Sequence, residues 1–253
     1  MSSAIPMAEF LHGPWTGRAA VLADLDGCLI AGERVLPQVP ALFAACGPRL
    51  WIVSNNSTDT AAELSMRLAG MGLDVAPDRI LLAGEETLRA LALERPGARV
   101  ALFATPALQG LAQALGLVTV SDRADVAVLA RDTGFGFVDL ARLAALVQRG
   151  APLWLTNPDP GHPGPDGLSV PETGALFAAL RAMVPQVAPR CIGKPAPDLI
   201  RKALARAAVV PGASVYIGDT PQTDGAAAAA AGVEFVQIAP PMAAPAPTGV
   251  LSC

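Results

Sequence analysis

The sequence predicts an α/β protein built on a doubly wound, mostly parallel sheet. Three observations lead there. Short apolar runs of strand length alternate with longer stretches of helical periodicity. Helix ends carry fitting punctuation, with Pro197 suited to a first turn and Gly232 to a C-terminal stop. Small polar clusters follow directly on apolar runs, at the carboxyl ends of strands, where open parallel sheets bind their ligands.

Taken in order, strands are predicted over 19–23, 50–53, 100–103, 125–129, 153–155, 214–217 and 234–238, with a short one at 190–192. Helices are predicted over 60–70, 106–114, 139–148, 174–182, 197–208 and 223–231. Residues 157–171 hold several Pro and Gly and form a long connection, a type that is often functional inside a compact domain. Residues 240–249, rich in Pro and Ala, predict an irregular tail. No internal repeat is visible.

With 253 residues the chain can form one large domain or two smaller ones. It is 52% hydrophobic and 16% charged, which excludes a disordered or collagen-like chain. A mean hydropathy of +0.44 reflects alanine rather than a membrane span. No run approaches the ~18 apolar residues of a spanning helix. The net charge of −4 without a basic block argues against nucleic acid as a partner. The first ten residues lack a basic region leading into an apolar core, so no secretion leader is expected and a cytoplasmic location is. Cys28, Cys46, Cys191 and Cys253 have no paired spacing and read as free thiols in a reducing compartment. A homodimer is left open.

Four clusters carry potential chemistry. Asp24-Leu25-Asp26-Gly27 follows an apolar strand, and extended backbone at Leu25 projects both carboxylates to one side. Such a pair can hold a hard cation and leave an oxygen free to attack; it can also be an ordinary Asp-Gly turn. A calcium loop of the EF-hand type is excluded, because Gly27 stands at the fourth position rather than the sixth. Ser54-Asn55-Asn56-Ser57 follows the next strand and suits either a neutral anion cradle or a helix cap. Gly193-Lys194-Pro195 is not a Walker loop; its lysine is either solvated or aimed into a site from a strand end. Gly218-Asp219-Thr220-Pro221-Gln222-Thr223-Asp224 adds two carboxylates after a strand, or simply starts a helix with acidic residues.

The order of these clusters resembles the four motifs of the haloacid dehalogenase (HAD) superfamily of phosphohydrolases. The resemblance implies a Rossmann-like core, with Asp24 as nucleophile and Asp26 as general acid and then base. It implies Ser54 and Lys194 as phosphate binders, with Asn55 and Asn56 beside them. Magnesium (Mg2+) would be held by Asp24, the Asp26 carbonyl and Asp219, with Asp224 in support. Thirty residues separate Asp24 from Ser54, too few for an inserted domain, whereas 140 separate Ser54 from Lys194. An inserted α/β cap there resembles class IIA, the phosphatases related to pyridoxal phosphatase and phosphoglycolate phosphatase. Asp132 with Phe135, Phe137 and Leu140, then Thr156-Asn157-Pro158-Asp159, then Gly174-Ala175-Leu176 agree with that class. The implied division is a core of residues 1–96 and 189–253 and a cap of 97–188.

The expected activity is hydrolysis of small phosphorylated metabolites through an aspartyl-phosphate, with Asn157 and Asp159 of the cap as substrate contacts. Two alternatives differ in class. A silent phospho-metabolite-binding relative would be expected to lose Asp24, Asp26 or Asp219, and all three are present. A phosphotransferase of the mutase type usually carries its cap between the first two motifs, where this chain has no room. Trp51 and Trp154 read as core, His12 as surface, and His162 as a solvent-exposed polar residue of the cap loop.

Overall fold

The protein is described by a computed structural model over residues 3–163 and 168–239; the expected tail at 240–249, Cys253 and part of the 157–171 connection lie outside the described residues. The first half runs α1 (Met7–His12), β1 (Ala20–Ala23), β2 (Ile30–Ala31), β3 (Arg34–Val35), α2 (Val39–Cys46), β4 (Leu50–Ser54), α3 (Ala61–Gly70), β5 (Ile80–Leu82) and α4 (Ala83–Glu94). The middle runs β6 (Arg99–Phe103), α5 (Pro106–Ala114), β7 (Val118–Thr119), β8 (Val126–Leu129), α6 (Phe137–Gln148), β9 (Leu153–Leu155), β10 (Gly161–Pro163), β11 (Ser169–Pro171), α7 (Thr173–Met183) and β12 (Arg190–Cys191). The chain then forms α8 (Asp198–Ala207), β13 (Ser214–Gly218), α9 (Ala226–Ala231) and β14 (Glu234–Gln237).

Two parallel five-stranded sheets result. The first has the order β14-β13-β1-β4-β5 and the second β12-β9-β8-β6-β7. β1 is central, with Leu22 opposite Tyr216 on one side and Trp51 on the other. Its alternate residues feed separate cores: Val21 and Ala23 pack with Ile52 and Ile217 on one face, Leu22 with Val53 and Tyr216 on the other. Burial on both faces explains why these strands read as continuous apolar runs rather than as an alternating pattern. The second sheet is likewise covered on both faces. Trp51 and Trp154 are core residues, 7% and 4% exposed.

The elements expected from the sequence are present with small shifts. Thr60 caps α3 through a reciprocal pair, its Oγ1 accepting from the Glu63 N–H at 3.2 Å and its own N–H donating to Glu63 Oε2 at 2.9 Å. α6 starts earlier than expected, at Phe137, where Asp139 accepts from the Gly136 N–H. The helix expected over 223–231 begins as a π-helical turn, Pro221–Gly225, before α9. β5 and α4 were not expected, although residues 83–94 are rich in helix formers and are followed by Pro96-Gly97. β5 is only three residues long, and α4 leaves it directly, with no side chain capping its first turn. α4 nonetheless ties the fold together: Glu85 accepts from the Ala61 N–H at 2.7 Å, and buried Glu86 pairs with Lys202 and Arg206 of α8. Among the described residues no helix is long and apolar enough to cross a membrane.

Leu22 is fully buried in the central strand. Leu22→Ala is expected to cost about 2–5 kcal/mol of unfolding free energy, from lost transfer energy plus the cavity left behind. Urea denaturation followed by circular dichroism measures it, and a loss under about 1 kcal/mol would show that this sheet face is not tightly packed.

Candidate catalytic site

The site lies beyond the carboxyl ends of the first sheet. The Asp24 N–H donates to Ile217 O at 2.9 Å, continuing the β1–β13 ladder by one rung and fixing Asp24 beside the end of β13. The chain then turns sharply. Leu29 and Ile30 both donate to Leu25 O, and the Gly27 N–H donates to Ile30 O at 2.8 Å. Gly27 has φ +84°, and a Cβ there would fall 2.4 Å from Asp219 Oδ2. Only glycine allows this turn while Asp219 lies against it. Gly218 does the same for Asp224, whose Oδ2 would sit 2.3 Å from an added Cβ.

Lys194 occupies the centre. It is 2% exposed, and its Nζ donates to Asp24 Oδ1 and Asp224 Oδ1, both at 2.6 Å, and to the Tyr216 hydroxyl at 3.0 Å. Tyr216 OH in turn lies 3.1 Å from Val53 O and 3.2 Å from Asp224 Oδ1. Asp224 spends its second oxygen on the Thr220 N–H at 3.1 Å. Burial works against the ammonium, yet Asp224 and Asp24 hold the Lys194 pKa well above the ordinary lysine value. Burial pushes the Asp24 carboxyl well above its usual range, with Asp224 adding to the rise and Lys194 opposing it. Burial raises Asp219 too, again helped by Asp224.

Carboxylate oxygens of Asp24, Asp219 and Asp224 all come within 4.8 Å of one another. Three carboxylates facing one ammonium leave a negative surplus in a poorly solvated recess. An all-oxygen donor set of this charge fits a hard divalent cation such as magnesium, which would relieve the forces that raise the carboxyl pKa values. Both Asp224 oxygens already accept hydrogen bonds from the protein, Oδ1 from Lys194 and Oδ2 from the Thr220 N–H. Among the described residues no hydrogen bond is made to Asp24 Oδ2. The Asp26 carboxyl sits at the exposed mouth, apart from the three-carboxylate cluster. Surrounding protein still raises its pKa by burial, with His162 and Arg67 pulling the other way.

The remaining expected contacts divide. Ser54 is buried at the end of β4, and its Oγ accepts from the Asn56 N–H at 3.1 Å, leaving the hydroxyl proton available. The asparagine side chains, expected to face substrate, are committed to the protein instead. Asn55 Nδ2 donates to Asp159 Oδ2 at 2.8 Å and Lys194 O at 2.9 Å, while its Oδ1 accepts from the Lys194 N–H at 2.7 Å. Asn56 closes a local turn with Thr58 and Asp59. Asn157 is fully buried and donates to Asn55 O, Ser57 Oγ and Thr173 Oγ1. A carboxamide satisfies loop backbone as readily as it binds a ligand, and here the backbone demand wins. His162 is half-buried rather than free in solvent, with Nδ1 2.8 Å from Glu172 Oε1. His12 is exposed, as expected.

Sequence reasoning missed Tyr216 and Thr173, and with Thr173 the partner of Ser57. Tyr216 sits in an apolar run, where the ring reads as core; its signal was a polar tip in a strand that leads into Gly218 and Asp219. Ser57 and Thr173 are far apart in sequence and meet only in the fold, 3.1 Å apart.

Comparison with known proteins agrees with this geometry. A haloacid dehalogenase-like hydrolase model matches residues 21–118, and a HAD-hydrolase-like model matches residues 191–240. The chain is 33% identical to D-glycerol 3-phosphate phosphatase of Mycobacterium tuberculosis over 223 residues, covering 86% of this chain but 62% of that protein, less than two thirds of its length. It is 32% identical to chronophin of Bos taurus, covering 82% of this chain and 77% of that one. Among solved structures, glycerol phosphate phosphatase from Mycobacterium tuberculosis in complex with magnesium superposes with a TM-score of 0.81 at 31% identity, covering 88% of this chain and 69% of that one. With the site motifs at adjacent strand ends and a relative of this identity matched over most of its length, the chain belongs to the haloacid dehalogenase-like hydrolase family.

Proposed function

We propose that the protein is a magnesium-dependent phosphatase that hydrolyses small phosphate monoesters through an aspartyl-phosphate on Asp24. The observation that carries this reading is the Asp24 carboxylate itself: one oxygen is pinned by Lys194, no described residue hydrogen-bonds the other, and Asp219 and Asp224 stand beside it. Pinning one oxygen orients the other for attack, a positioning gain that requires no movement during reaction. The named phosphatases among the relatives support the same reading.

In this scheme Asp24 Oδ2 attacks phosphorus, the ester P–O bond breaks, and Asp26 at the mouth gives its proton to the departing alkoxide. Water then attacks the aspartyl-phosphate, Asp26 takes its proton, and inorganic phosphate leaves with the Asp24 carboxylate restored. Lys194 and the Ser54 hydroxyl bind the phosphoryl oxygens, aided by the backbone N–H of Asn55. Asp24, Asp219 and the Asp26 carbonyl would hold magnesium, with Asp224 in support, and the ion would supply charge neutralisation of the phosphoryl group. Residues 97–188 form the cap, to which we add Arg190–Cys191 because that strand pairs with β9 in the second sheet. The cap shapes the recess above the mouth and favours small substrates. Free thiols at Cys28, Cys46 and Cys191 suit a reducing compartment such as the cytoplasm.

Three measurements test this scheme. Asp24→Asn keeps the shape of the side chain but removes the nucleophile, and kcat is expected to fall at least about 10^4-fold. Turnover of p-nitrophenyl phosphate by this variant at the wild-type rate would remove Asp24 from its role. EDTA is expected to abolish activity and added magnesium to restore it; full activity in metal-free protein would contradict the reading of the three-carboxylate cluster. Gly27→Ala places a methyl against Asp219 Oδ2 at a positive φ. Weaker magnesium binding by calorimetry is expected, and unchanged affinity would show that Asp219 does not depend on that turn.

A further inference from the structure

The loop that leaves β9 reaches across from the second sheet into the backbone that carries Lys194. Asn55 is the joint. Its carboxamide pairs with both sides of the Lys194 peptide unit, accepting from N–H at 2.7 Å and donating to C=O at 2.9 Å, much as a neighbouring strand would. One Nδ2 hydrogen remains, and Asp159 Oδ2 takes it at 2.8 Å. The loop is itself braced: the Asp159 N–H donates to Asn157 Oδ1 at 3.2 Å, and Asn157 Nδ2 reaches back to Asn55 O at 2.9 Å. Gly193 completes the fit. A Cβ there would fall 2.3 Å from Thr156 O and 3.0 Å from Asn55 Oδ1, so the strand ahead of Lys194 lies flat against this loop.

We propose that Asp159 is a positioning residue that acts through Asn55 to hold the Lys194 backbone, so that the second sheet's loop sets the placement of the ammonium that meets phosphate. The inference rests on the phosphatase reading for the role of Lys194, but the clasp itself does not. Asp159 is the charged member, and a charge-assisted hydrogen bond is stronger than the neutral bonds around it. With Asp159 gone, Asn55 keeps its two contacts to Lys194 yet loses the group that fixes its own rotation. The Asn55 side chain then competes between Lys194 and water. Phosphate chemistry depends on Lys194 for every substrate, so the cost falls equally on all of them. A residue that touched substrate directly would instead reorder substrates.

The experiment compares Asp159→Ala and Asp159→Asn with wild type. Asp159→Ala is expected to lower kcat about ten- to hundredfold, the scale of a displacement of up to about 1 Å in a catalytic group. The same factor is expected for p-nitrophenyl phosphate and for glycerol phosphate. Asp159→Asn keeps an oxygen acceptor for Asn55 and is expected to recover at least about a third of wild-type kcat. A second readout needs no activity: backbone hydrogen exchange at the Lys194 amide, the donor to Asn55 Oδ1. Exchange there is expected to quicken about tenfold or more in Asp159→Ala and to return towards wild type in Asp159→Asn. A change in substrate ranking with p-nitrophenyl phosphate spared would overturn the proposal in favour of direct substrate contact. Unchanged kcat, or unchanged exchange at Lys194 in the folded alanine variant, would overturn it as well. Wild-type protein inactive on every ester would defeat the phosphatase reading alone, and the exchange comparison would still decide the clasp.

Discussion

A single ammonium holds this structure's chemistry in place. Lys194 is buried between Asp24 and Asp224, with the Tyr216 hydroxyl as third partner. A buried charge of this kind persists only when it is paired and hydrogen-bonded, and removing one partner from such a pair typically costs about 3–5 kcal/mol. The partners come from the end of β1, from the middle of β13 and from the turn after β13. The ion cluster therefore fixes how these segments meet, and the parallel sheet beneath it, covered on both faces, supplies the dry floor that makes the pairing strong. Glycines at positions 27 and 218 let the carboxylates crowd in from either side without displacing the backbone.

The loop after β9 meets this cluster through polar contacts, while the second sheet itself packs against α4 through Leu88 and Leu91. Ser57, Asn157 and Thr173 form a buried knot of hydroxyls and one carboxamide, into which the Arg131 N–H also donates. Each of these groups is left with an unmet hydrogen bond if the two sheets separate without water to replace it. Such a network fixes the register of the loops it joins. The arrangement keeps the loop after β9 at a fixed distance from the core strand ends, which is what a recess for small ligands requires.

Much of this was legible in the amino-acid order. Asp24 and Asp219 each follow an apolar run of the first sheet, so their convergence at its edge follows from the parallel topology; Lys194 follows β12 of the second sheet, and its arrival at the same place is a result of the tertiary fold. The roles of the asparagines were not legible. Asn55, Asn56 and Asn157 have the chemistry of ligand contacts, but backbone groups of neighbouring loops claim them first, and a sequence does not show which carbonyls lie near. Tyr216 was hidden for the opposite reason, since its ring suits the core and only its oxygen belongs to the site. Two elements were overlooked, β5 because it is short and α4 despite its helix formers and the Pro96-Gly97 that follows it. α4 starts without a capping residue and β5 offers three residues, although together they bring Glu85 to the start of α3 and Glu86 to the flank of α8.

The π-helical turn at Pro221–Gly225 makes the length of this segment matter to the site more than to the scaffold. Such a turn amounts to one residue more than an α-helix would use, and it absorbs that residue locally, so α9 keeps its register. Were a residue lost between Pro221 and Thr223, the turn could close to ordinary helix with Ala226–Ala231 packed as before. Asp224 lies inside the turn, and its bonds to Lys194 and to the Thr220 N–H depend on that wider path. A single deletion here would thus spare the sheet and its helices while disturbing the charge cluster.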